Sequence, residues 1–112
     1  SIVLVGPDDG EAGCTEQTSQ MLMFDPVTGK LLDSWNNLDG DIRSTVVYDE
    51  ATDAYYFTSK GGSFYSLKVK KTDAGWTMTD KWSIELDNGT DGTPMSICGG
   101  IRSRTVLRIF RT

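Results

Sequence analysis

Hydrophobic positions along the chain recur with a period of two. In "SFYSLKV", Tyr65, Leu67 and Val69 alternate with Phe64, Ser66 and Lys68. In "WTMTDKWSIEL", Trp76, Met78, Asp80, Trp82, Ile84 and Leu86 fall on one side of the alternation and polar residues on the other. Side chains of a strand point alternately to its two faces, so both stretches predict strands with one buried face. No stretch carries a helical period with caps. Turn clusters punctuate the pattern: "PDDG", "DPVTGK", "LDGD", "DEATD", "SKGG", "KTDAG" and "LDNGTDG". The predicted strands are 1–5, 20–25, 31–36, 43–49, 54–59, 63–70, 75–84, 94–98 and 104–110. An all-β, antiparallel domain over residues 1–112 is the expectation.

The turn in "FDPVTGKLLDSW" has a local mechanism. Asp25 can accept hydrogen bonds from the amides that follow it, Pro26 presets φ, and Gly29 supplies a positive φ before Lys30 restarts the strand. The motif has a partner further on. Trp35 and Trp82 both end the second strand of a hairpin, and the turn glycines Gly29 and Gly75 fall in step. "WNNLDGD" leads to Ser44-Thr45 and "VVY", as "WSIELDNGTDG" leads to Thr93-Pro94 and "MSI". "AYYFTSKGG" is similar to the chain's own start, "IVLVGPDDG". Two units of four short strands result, over 20–62 and 63–110, with 1–10 as the strand of a preceding unit.

Over residues 1–98 these motifs resemble the pyrroloquinoline-quinone-like, or WD-like, β-propeller repeat. That repeat has an "LD-x-x-TGK-x-x-W" hairpin, then a small-residue-Pro strand and a "Y-V-G-x-x-x-G" strand. Asp25, Thr28, Gly29, Lys30, Trp35, Tyr55, Tyr56 and Gly61 match it; the second unit keeps Gly75 and Trp82 but lacks "TGK". "EAGCTEQTSQ" lengthens one loop, and the Arg-rich tail "CGGIRSRTVLRIFRT" departs from the usual ending. The resemblance implies four-stranded antiparallel blades, about two per chain. Propellers need four to eight blades. So the chain is expected to be a fragment of a longer propeller, or its copies complete a ring through blade edges or by strand exchange. The tail, with Arg104, Leu107 and Ile109, is a candidate assembly strand; the alternative is that its arginines only keep an edge soluble. The resemblance also implies an exported or cell-surface bacterial protein, extracellular or periplasmic.

Composition narrows the partners. A formal charge of −5 disfavours nucleic acid and anionic membranes, and no apolar run is long enough to span a bilayer. Ser1 in place of Met suggests a mature form or an excised segment. The chain has no histidine and two cysteines, so the commonest general base is absent and a zinc set cannot be built from one chain. Cys14 and Cys98 could form a disulfide in an oxidising setting or stay apart, because sequence does not bring them together. Asp8, Asp9 and Glu11, or Asp87 and Asp91, could hold Ca²⁺; Asp-Gly turns account for them on backbone grounds alone. No catalytic, cofactor or metal residue is assigned, and no cofactor is expected.

Trp35 and Trp82 could stack sugars, but equivalent places in two units favour packing between blades. Trp76, beside a turn, is the better candidate for an exposed contact. The leading expectation is a non-enzymatic propeller scaffold or binding module, a homo-oligomer with a protein or glycan ligand. The alternatives are a fragment of a quinoprotein dehydrogenase, which the repeat alone does not support, and a carbohydrate-binding module using Trp76 and the aromatic strands.

Overall fold

The computed structural model describes residues 1–7, 18–42, 44–86 and 108–110. Among these residues there are seven strands and no helix. They are β1 (Val3–Val5), β2 (Thr18–Phe24), β3 (Leu31–Asp39), β4 (Val47–Asp49), β5 (Ala54–Thr58), β6 (Ser63–Thr72) and β7 (Gly75–Glu85). Two antiparallel sheets form in chain order, one β1-β2-β3 and the other β4-β5-β6-β7. Neither sheet closes on itself. The expected all-β, antiparallel architecture is present. The boundary between sheets falls between β3 and β4, so residues 20–62 contribute to both. The expected strand 94–98 and residues 104–107 lie outside the described residues; 108–110 are irregular.

The β2–β3 turn closes by the mechanism its residues dictate. The Asp25 carboxylate accepts the amides of Val27 at 2.8 Å and Thr28 at 3.3 Å, and the Thr28 hydroxyl accepts that of Lys30 at 3.2 Å. Gly29, at φ 75°, donates its amide to the Asp25 carbonyl. Gly75 opens β7 at φ 117°.

Three β-bulges interrupt the described ladders, one at Leu32 in β3 and two that decide which way the repeat tryptophans face. In β3, Trp35 pairs with Met21 and Leu38 with Ser19, so two residues, Asn36 and Asn37, oppose one. Asn37 takes φ 63°, a conformation Asn tolerates better than most residues. The extra residue turns both Trp35 and Leu38 inward and carries the strand past its expected end at 36. In β7, Ser66 pairs with Trp82 and Lys68 with Thr79, so Asp80 and Lys81 oppose Leu67 alone, with Asp80 at φ 47°. This bulge corrects the expected alternation. Met78 faces the core, whereas Trp82 and Ile84, four and six residues on, face the other way.

The core lies between the sheets. Met21, Met23 and Leu38 come from the first, Phe57, Tyr65, Leu67 and Met78 from the second, and Ile42 from the connection. Each such buried side chain contributes roughly 1.5–3 kcal/mol relative to its exposed state. The connection is pinned by backbone bonds from Gly61 to the Asp39 carbonyl and from Lys60 to the Asp41 carbonyl, both 2.8 Å. A Cβ at Gly61 would collide with Asp39, so a glycine is needed for this close approach. Of the strand expected over 43–49, residues 44–46 are irregular and β4 begins at Val47, because Ser44 replaces the ladder. Its hydroxyl accepts the Thr58 amide at 2.9 Å and donates to the Thr58 carbonyl at 3.2 Å.

Candidate functional site

The two sheets meet through a polar and aromatic seam. Trp35, on the inner face of β3, sets its ring edge-to-face against Phe57 (centroids 6.1 Å apart) and Tyr65 (5.3 Å). Lys81 places its ammonium 5.7 Å from the centre of the Trp35 ring. The Tyr65 hydroxyl accepts the Asp39 amide at 2.7 Å. Asp33 reaches across to β7, where its carboxylate accepts the Met78 amide at 2.8 Å and the Thr77 hydroxyl at 2.9 Å. Partial burial raises the Asp33 pKa, but bonds from the Met78 and Ser34 amides and the Thr77 hydroxyl outweigh it. The carboxyl is therefore held below its ordinary value.

The far face of the second sheet is open and aromatic. Tyr56 stacks on Phe64 with centroids 5.7 Å apart, and Phe64 lies 5.8 Å from Trp82 in a tilted contact. Trp82 is 47% exposed and Ile84 53% exposed. On the β4 side, a cleft of about 280 Å³ is lined by Val47, Asp49, Tyr56, Phe64, Arg108 and Ile109. The far face of the first sheet is apolar as well: Val3 pairs with Phe24 and Val5 with Leu22, and Val3 and Val5 are 41% and 40% exposed. None of these outer-face residues belongs to the core cluster or packs against it.

The candidate residues separate accordingly. Trp35 is the filling between the sheets, and Trp82 is presented to solvent. Trp76 corrects the expectation of an exposed contact: it packs against the core cluster, on the Met78 side of the bulge. Asp25, Gly29 and Gly75 shape turns. Ile109 lies at the outer cleft beside Arg108. Cys14, Cys98, Arg104 and Leu107 fall outside the described residues, as do Asp8, Asp9, Glu11, Asp87 and Asp91. Among the described residues, no three Cys, Asp or Glu side chains gather as a metal site would require, and no helix is long and apolar enough to cross a membrane.

Outside the seam, the shifted groups lie at the β4–β5 hairpin and the β2–β3 turn. The Tyr48 phenol is pushed up to about 12, first by donating a 2.7 Å hydrogen bond to Asp53 and then by burial and nearby negative charge. Burial and then the Asp53 charge raise Tyr55. The Asp25 carboxyl is lowered, chiefly by the Val27 amide.

No family model, curated protein or solved structure matches this chain. Its functional reading rests on the two faces.

The bridging role of Asp33 has a signal in the sequence. An Asp stands two residues before each tryptophan of the repeat, Asp33 before Trp35 and Asp80 before Trp82. Among the described residues, only the first reaches a neighbouring sheet. Asp80 sits in the bulge, exposed.

Proposed function

We propose that this chain is a non-enzymatic β-propeller scaffold, of an exported or cell-surface bacterial protein, whose blades are completed by self-assembly. The observation that carries the reading is the unequal fate of the two repeat tryptophans. Trp35 is covered by a neighbouring sheet, whereas Trp82, at the matching position of the next hairpin, is left in solvent. Large aromatic and aliphatic groups exposed together on a sheet face mark an interaction surface. The sequence resemblance supplies the propeller reading, and the face-to-face stacking of two antiparallel sheets is consistent with it. Light scattering tests the proposal: a discrete oligomer with four or more sheets, hence two or more chains, is expected. A stable 12.3 kDa monomer would overturn it.

The aromatic run of half-buried Tyr56 and Phe64 and exposed Trp82 favours a second reading, a platform on which a sugar ring stacks. Binding on a glycan array that is lost in Trp82→Ala would support it over self-assembly.

A further inference from the structure

The internal repeat says what should cover the open faces. The hairpins β2–β3 and β6–β7 correspond, with the pair Met21–Trp35 matching Ser66–Trp82. In this correspondence the inner face of the first sheet, which carries Trp35, matches the outer face of the second, which carries Trp82. The face of the second sheet that receives Trp35, with Phe57 and Tyr65, matches the outer face of the first, with Val3, Val5, Leu22 and Phe24. Thus a Trp-bearing face is already seated on a receiving face within the chain. Among the described residues, the same two kinds of face stand open on its opposite sides, at Val3 and Val5 and at Trp82 and Ile84.

We infer that the Trp82 face of one copy docks onto the Val3/Val5 face of a second copy, head to tail, repeating the sheet-to-sheet contact within the chain. This rests on the self-assembly reading and gives it a polarity. The occupant is another copy because the chain itself carries both halves of the contact. An isologous dimer, joining Trp82 faces to each other, would leave both Val3/Val5 faces bare. A head-to-tail contact buries one of each kind per junction and closes a ring when the rotation per copy permits. Arg108 and Ile109 lie toward the β4 side of the Trp82 face, so the arriving sheet meets chiefly the β6–β7 side, where Trp82 and Ile84 are exposed.

Complementary variants test the polarity. Trp82→Glu spoils one face and Val5→Asp the other, and both sites are substantially exposed in the single chain. Ile84→Lys and Val3→Asp serve as second variants of the same faces, with circular dichroism confirming that the sheets persist. Each variant alone is expected to lose the wild-type oligomer and run as a monomer. A one-to-one mixture of Trp82→Glu and Val5→Asp retains one intact junction and is expected to give a dimer, twice the single-chain mass, and nothing larger. Folded variants that keep the wild-type mass would overturn this interface while leaving self-assembly standing. Monomeric variants whose mixture stays monomeric would overturn its head-to-tail polarity. A wild-type chain that is monomeric would overturn both readings.

Discussion

The Asp33 carboxylate and the Met78 amide belong to different sheets and lie 2.8 Å apart. This bond, with the Thr77 hydroxyl on the same carboxylate oxygen, ties the last strand of one sheet to the last strand of the other. Asp33→Ala leaves the Met78 amide and the Thr77 hydroxyl without this acceptor. The expected loss is about 1.5–3 kcal/mol, the range for a hydrogen bond to a charged group, read as a lower urea midpoint at unchanged slope.

The same carboxylate gives a pH signature. Asp33 titrates below its ordinary value of 3.8 in the folded chain. Its stabilisation is therefore fully present above that value and is lost as pH falls through the lower folded one. The stability difference between wild type and Asp33→Ala should be constant near neutral pH and shrink below about pH 4. A difference that grew on acidification would contradict this sign.

Ser44 stands in for a strand residue by bonding both the amide and the carbonyl of Thr58. Ser44→Ala should cost on the order of 1 kcal/mol, and the Thr58 amide should lose protection from hydrogen exchange while those of the β6–β7 ladder keep theirs.

The bulge in β7 depends on a residue that accepts φ 47° at position 80. Asp80→Val, β-branched, should destabilise the chain by roughly 1–2 kcal/mol, the cost of the left-handed region. Asp80→Gly should be tolerated. Thermal unfolding of the two variants distinguishes backbone strain from loss of the carboxylate.

Tyr48 should ionise near pH 12, later than an ordinary tyrosine, because its proton is shared with Asp53. In Asp53→Asn the acceptor charge is gone, and ultraviolet difference titration should show this phenol moving back toward 10.

The alternation in "SFYSLKV" placed Tyr65 and Leu67 inside correctly, and the turn residues of "DPVTGK" marked the β2–β3 connection, because these signals are local. The face of Trp82 was not legible. A period of two carried unbroken from Met78 puts both on one side, and a single extra residue at Asp80–Lys81 reverses that. Strand β3 shows the same limit at Asn36–Asn37, where a bulge extends pairing that alternation would end. Spacing does put Trp76 on the same face as Met78, and the core contact agrees with it; the expectation of an exposed contact came from the turn beside it, which does not decide a face. The Asp two residues before each repeat tryptophan marks Asp33 and Asp80 alike, and only the Met78 amide of the second sheet gives Asp33 its bridging role.

Self-assembly through this face requires Trp82 to be open to solvent on one chain and covered when chains assemble. Its emission can be isolated as the difference between wild type and Trp82→Phe, with acrylamide as quencher, across a dilution series followed by light scattering. A red-shifted, readily quenched Trp82 is expected in dilute monomer and a blue-shifted, shielded one in the oligomer. A Trp82 that stays equally quenchable after the oligomer has formed would contradict it.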